Sequence, residues 1–183
     1  MDNKRLFISI PVDQFIIKKI NTKLYNLNLP WEKIKKIKPE NIHITLKFLG
    51  DTSIEKIPII IASLQQATKE FGGLNLEIEK TNIFNKNNPR TLVLIFKENK
   101  NLNKLFIKIE EILFNNGISN KENKKFKPHI TIARIKKPSK LKEFKEYINY
   151  KIQGNSEVSY IELIESEITK KGPNYTVLQI FDL

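Results

Sequence analysis

Residues 43–46 read His43-Ile44-Thr45-Leu46, and residues 129–132 read His129-Ile130-Thr131-Ile132. The two tetrapeptides lie 86 residues apart and hold both histidines of the 183-residue chain. Each sits in an apolar run, Ile42–Leu49 and Pro128–Ile135, that reads as a β-strand. Strand side chains alternate between faces, so His43 and Thr45 share one face while Ile42, Ile44, Leu46 and Phe48 share the other. By the same parity His129 and Thr131 face one way, and Ile130 and Ile132 the other. Each copy presents an imidazole and a hydroxyl roughly 7 Å apart along the strand, on the face the core does not need. The echo points to a structural duplication. Two halves packed about a pseudo-twofold axis would bring both His/Thr pairs to one point.

Such a point is a paired acid–base site. One neutral imidazole takes a proton from water, and one protonated imidazole gives a proton to a leaving oxygen; both roles suit a side chain with an ordinary pKa of about 6.5. The threonine hydroxyls can donate to the non-bridging oxygens of a phosphate held between them. Strand parity alone leaves open which histidine plays which part.

The motifs sit within a mixed order of elements. Residues 5–11 read as a strand, and Asp13 caps a helix whose apolar residues Ile16, Ile17, Ile20, Leu24 and Leu27 recur until Pro30. A short strand near Lys35–Ile37 precedes the first motif strand, which Gly50-Asp51 closes. A helix is expected from about Pro58 to Phe71, then strands at Leu74–Phe84 and Arg90–Lys97. Leu102, Phe106, Ile109, Ile112 and Leu113 form one face of a helix ended by Gly117. Ser139 is expected to cap a short helix through Leu141, Phe144 and Ile148, and Ser156–Thr169 pairs with Tyr175–Phe181 in a closing hairpin around Lys171-Gly172-Pro173. Hairpins interleaved with helices imply an α+β fold rather than a doubly wound parallel sheet.

Composition narrows the chemistry. The chain has no cysteine, which excludes a disulfide framework, a thiolate zinc site and a cysteine nucleophile. Its two histidines leave little room for a histidine-built metal centre. The longest apolar run, Ile57–Ala62, is far below the roughly 20 residues of a membrane helix. Met1–Val12 carries too short an apolar stretch, cut by Pro11 and Asp13, for a signal peptide, so a cytoplasmic protein is expected. The formal charge is +12, which reads either as attraction to a polyanion such as nucleic acid or as compositional bias in a chain with 29 Lys, 30 Ile and 20 Asn. The three arginines, Arg5, Arg90 and Arg134, are therefore more informative than the total.

With these residues assembled, the chain resembles, almost end to end, the RNA 2′,3′-cyclic phosphodiesterases (also called 2′-5′ RNA ligases) of the two-histidine phosphoesterase superfamily. The resemblance runs through Arg5-Leu6-Phe7-Ile8 with Pro11, then Lys38–Asp51 around the first motif and Pro89-Arg90 in the middle. It continues through Phe126–Arg134 around the second motif, then Ser166 and Gly172-Pro173-Asn174-Tyr175. It implies one domain over residues 1–183, bilobal, with two pseudo-symmetric lobes of antiparallel sheet, helices outside and a cleft between. It also implies hydrolysis of the 2′,3′-cyclic phosphate at an RNA 3′ end to a 2′-phosphate, without cofactor or metal. His43 would then be the proton donor and His129 the proton acceptor, with Thr45 and Thr131 orienting the phosphate. The implied partner is RNA with cyclic phosphate ends, such as tRNA halves, and no membrane; with both half-sites in one chain, a monomer is expected. Two alternatives stay open: an RNA-end binding module without turnover, and 2′-5′ joining of RNA ends at the same site.

All three arginines fall in segments that carry the resemblance, where a planar bidentate fork suits phosphate. Arg134 is the expected substrate contact, although five residues past His129 it falls on the opposite face of a regular strand, so a bulge is required to bring it round. Of the aromatics, Phe7, Trp31 and Tyr175 could stack a base or pack in the core, whereas Phe48 falls on the core face by parity. The stretches Lys33–Lys38 and Lys121–Lys127 could track an RNA backbone or simply form a solvated face.

Overall fold

The computed structural model describes residues 2–170 and 172–183. Leu6–Ile10 supplies the buried middle of β1 (Asn3–Pro11). Asp13 then caps α1 (Gln14–Tyr25), its carboxylate accepting from the Phe15 backbone N–H at 2.7 Å. Next come β2 (Ile34–Lys36), β3 (His43–Ser53) and α2 (Ile57–Thr68), and then β4 (Leu74–Phe84) and β5 (Thr91–Phe96). Asn99 caps α3 (Lys100–Asn115), which is followed by β6 (His129–Ile135), β7 (Asn155–Val158), β8 (Tyr160–Thr169) and β9 (Gly172–Asp182). No helix of the described residues is long and apolar enough to cross a membrane.

The strands form one sheet in the order β7-β4-β5-β6-β3-β1-β8-β9, with β2 paired to β6. Every pairing is antiparallel. The two motif strands are neighbours at its middle and meet at a single register pair, Ile44 opposite Ile130. From there the order runs symmetrically outward, through β1 and β8 on one side and through β5 and β4 on the other. This is the expected α+β architecture with two related lobes.

Helices cover the outer face. Lys47 of β3 reaches Glu110 of α3 at 2.8 Å, placing α3 behind the first motif strand, and α2 packs on α3. On the other lobe, Ile16 of α1 and Ile78 of β4 both lie against Gly154.

Several expectations shift. Ser156–Thr169 is two strands rather than one: it breaks at Ser159, sending β7 to β4 and β8 to β1 and β9. A one-residue link between strands so far apart in the order requires the sheet to curl until its lobes approach, and the Leu183 N–H bonds the Ser159 carbonyl there at 2.9 Å. The first motif strand does not stop at Gly50; it runs on to Ser53, with Gly50 at φ +71° opposite Leu6, a conformation glycine adopts without strain. On α3 the buried face is Leu102, Leu105, Ile109 and Leu113, with Phe106 and Ile112 only half-buried. Ser139 caps nothing: a single 3₁₀ turn, Leu141–Phe144, begins after Lys140, whose N–H is taken by Glu143. The expected hairpin of β8 and β9 is present, but Lys171 of its turn lies outside the described residues, as does Met1 of the expected absent leader.

Candidate active site

The alternation that places His43 and Thr45 together fails one residue later. In the β1–β3 register Ser9 faces Thr45 and Ile8 faces Lys47, so Leu46 is an extra residue. A bulge of this kind reverses the phase of the strand. Lys47 turns to the buried side and Phe48, 49% exposed, turns to the face of Thr45. The second copy repeats the device. Leu92 faces Ala133 and Val93 faces Thr131, leaving Ile132 as the extra residue, and Arg134 joins His129 and Thr131 on one face. The bulge that Arg134 required is present. The same bulge in β3 corrects the core placement of Phe48.

These residues line a cavity of about 340 Å³, within the range of small-ligand sites. It contains His43, Thr45, His129, Thr131 and Arg134 together, so all five expected site residues converge. Arg5, Phe7, Phe48, Ser166 and Tyr175 line it as well, and among the described residues no carboxylate does. Among the described residues no group of three histidine, aspartate or glutamate side chains is arranged to hold a metal ion.

The two histidines are held alike. His43 Nδ1 lies 3.0 Å from the Asn41 carbonyl, and His129 Nδ1 lies 2.8 Å from the Lys127 carbonyl, in each case two residues upstream. A carbonyl accepts only, so Nδ1 carries the proton and Nε2 is left for chemistry. Their surroundings differ. Phe7 stacks on His43 at 4.8 Å and Tyr175 meets it edge-on at 5.5 Å, whereas His129 is met by the edge of Phe84 at 4.7 Å. Burial lowers the His43 pKa to about 4; the Asn41 carbonyl opposes this and the charge of His129 adds to it. Tyr175 is pushed above its ordinary value by burial, with Arg134 and Arg5 pulling the other way.

The remaining sequence candidates divide. Arg5 is in the cavity, its guanidinium 4.9 Å from the Phe48 ring. Arg90 is exposed outside it, and its carbonyl accepts the Ile135 N–H. Trp31 packs beside Tyr25 under Lys36, away from the histidines. Phe7 and Tyr175 buttress His43, a role their aromatic character alone did not disclose. Ser166, opposite Tyr175 in the β8–β9 pairing, carried no assigned role in the sequence. Its place in the cavity follows only from that register.

Comparisons with known proteins give the family and the fold. Residues 10–93 match the family described as LigT like Phosphoesterase. The RNA 2′,3′-cyclic phosphodiesterase of Archaeoglobus fulgidus is 33% identical over 181 residues, covering 97% of this chain and 99% of that protein. The chain belongs to the LigT-like phosphoesterase family. A second relative, the RNA 2′,3′-cyclic phosphodiesterase of Methanocaldococcus jannaschii, is 32% identical over 96% of this chain and 98% of its own length. The crystal structure of TT0787 from Thermus thermophilus superposes with a TM-score of 0.84 at 25% identity, covering 98% of this chain and 97% of that one. The LigT-like sheet, curled and antiparallel with a few helices outside, is thus shared along nearly the whole length.

Proposed function

We propose that this protein hydrolyses the 2′,3′-cyclic phosphate at RNA 3′ ends to a 2′-phosphomonoester, by general acid–base catalysis between His43 and His129. The observation that carries the reading is the matched pair of histidines, each fixed through Nδ1 by a backbone carbonyl, in one cavity with Thr45, Thr131 and Arg134 and no carboxylate. Relatives covering nearly the whole chain carry the name of this activity.

In the proposed step, water attacks phosphorus and His129 Nε2 accepts its proton. The P–O3′ bond breaks, and His43 gives its Nε2 proton to the departing 3′ oxygen. The product keeps the phosphate on O2′, and the two histidines exchange protonation states, which solvent resets. Thr45 and Thr131 hold the non-bridging oxygens, and Arg134 is a further contact to the substrate. No metal enters the scheme. Burial makes His43 neutral in the free cavity at pH 7. A bound phosphodiester anion reverses that balance, favouring the charged form His43 needs as a donor. One chain holds both motifs, so a monomer suffices.

The test is incubation of the protein, with excess chelator, with a short RNA ending in a 2′,3′-cyclic phosphate, resolving 2′- from 3′-phosphate products. The expected product is the 2′-phosphate. His43→Ala and His129→Ala should each lose at least about 10²-fold in rate. Stoichiometric binding of unchanged RNA would instead establish an end-binding module, and full activity in either variant would remove that histidine from the mechanism.

A further inference from the structure

A second cavity, of about 390 Å³, opens beside the first and shares Ile37, Asn41, Arg134, Pro173 and Tyr175 with it. Its added wall comes from β2, Lys38 and the facing ends of β8 and β9, and among the described residues no Asp or Glu lines it. On β2, Lys35 stands directly opposite Arg134 of β6. Directly opposed residues of an antiparallel pair point to one face, and like charges so placed repel. Neither cation has a carboxylate within ion-pair distance among the described residues.

The neighbouring lysines are engaged. Lys33 pairs with Glu143, Lys38 with Glu40, and Lys36 lies 4.5 Å from the Tyr25 ring and 4.6 Å from the Trp31 ring. Within Lys33–Lys38, Lys35 alone is left with no such partner, and it faces an arginine. Two opposed, unneutralised cations on the wall of an acid-free cavity cost stability unless an anion sits between them.

We propose that Lys35 and Arg134 together hold the phosphodiester on the 5′ side of the terminal nucleoside, so that this second cavity selects an RNA end over a free nucleoside 2′,3′-cyclic phosphate. The proposal rests on the cyclic-phosphate reading of the histidine cavity. The geometry suits it. Arg134 lies three residues beyond Thr131 on the same face, roughly 7–10 Å along the strand, on the order of one nucleotide. A nucleoside cyclic phosphate brings one anionic group, whereas an RNA terminus brings a second at the adjoining diester. A guanidinium fork opposite an ammonium point charge can close on that diester from two sides.

The test compares Lys35→Ala, Lys35→Glu and Lys35→Arg with the unaltered chain. Two substrates are turned over: a short RNA with a 2′,3′-cyclic end and a nucleoside 2′,3′-cyclic phosphate. Two ligands are bound: a 3′-phosphorylated dinucleotide and a nucleoside 3′-monophosphate. Lys35→Ala should lower kcat/KM for the RNA and affinity for the dinucleotide by about tenfold. Lys35→Glu should lower both further and Lys35→Arg should largely restore them, while the single-nucleotide compounds change less than about twofold. Equal losses on both classes, or no loss on the RNA, would overturn the proposal. The binding arm keeps the two readings separate. If neither cyclic phosphate is hydrolysed, the hydrolytic reading fails, and the dependence of dinucleotide binding on Lys35 still decides this one.

Discussion

His43 is confined on three sides, by the Phe7 ring, by the edge of Tyr175 and by the Asn41 carbonyl. The carbonyl fixes its Nε2 in direction, and the two rings keep water from it, so burial favours the neutral form against the pull of the carbonyl. The pH consequence has a definite sign. The folded pKa is about 4 and the unfolded one about 6.5, so the unfolded chain binds the extra proton first as pH falls. Stability from this group is complete above pH 6.5 and is lost as pH drops toward and through 4. The loss amounts to at most about 3 kcal/mol. Urea unfolding at pH 7, 5.5 and 4 should show the unaltered chain losing more stability than His43→Gln over this window, the carboxylate contributions being common to both. Equal losses would mean that His43 titrates normally in the folded protein. The same proton reports the ligand: inorganic phosphate in the cavity should raise the His43 pKa followed by NMR.

At the scale of the element, the bulges at Leu46 and Ile132 make the site. A regular strand would send Phe48 and Arg134 into the core face; the extra residue returns both to the histidine side. Behind the first bulge, Lys47 is 4% exposed and ion-paired at 2.8 Å to Glu110, itself 5% exposed on α3, with the Asn120 carbonyl accepting a further bond at 2.7 Å. Removing one partner of a buried pair strands the other, so Lys47→Ala should cost about 3–5 kcal/mol in denaturant unfolding. Lys47→Met with Glu110→Leu should recover most of that loss, because no charge is then left buried. A double variant as unstable as the single one would show that the pair itself carries the stability. These elements also mark how far the sequence could be read. The period of two was legible over His43–Leu46 and His129–Ile132, because four residues of alternation suffice to place a histidine and a threonine. A bulge depends on the partner strand's register, which no local pattern encodes, so strand parity sets Phe48 on the wrong face and cannot by itself bring Arg134 to the histidines. The break at Ser159 was hidden for a related reason: both of its sides keep strand periodicity, and only their partners differ. The lowered His43 pKa needs Phe7 and Tyr175, distant in sequence, to be brought to one ring.

For the whole molecule, the curled sheet concentrates a few cations in one place while most of the +12 charge lies elsewhere. Lys4, Lys33, Lys80, Lys97 and Lys125 are each paired with a glutamate, and Lys47 is buried in its own pair. Among the described residues, the cations that line the two joined cavities and lack a carboxylate partner are Arg5, Lys35, Lys36 and Arg134, and Lys36 is held over the Tyr25 and Trp31 rings, which leaves three. Net charge and the charge that meets RNA are therefore different quantities, and salt separates them. Each phosphate neutralised on a single strand contributes roughly −0.7 to the slope of log affinity against log salt. Three cavity cations predict a slope of about −2 for kcat/KM on a short RNA with a cyclic phosphate end, measured below saturation. Lys35→Ala should flatten it by roughly 0.7. If the outer lysines of Lys121–Lys127 also gripped the strand, the slope would be steeper than about −4 and would flatten when those lysines, rather than Lys35, were replaced. A shallow slope governed by Lys35 and the arginines would assign the basic composition to the surface at large and the recognition of RNA to the cavity wall.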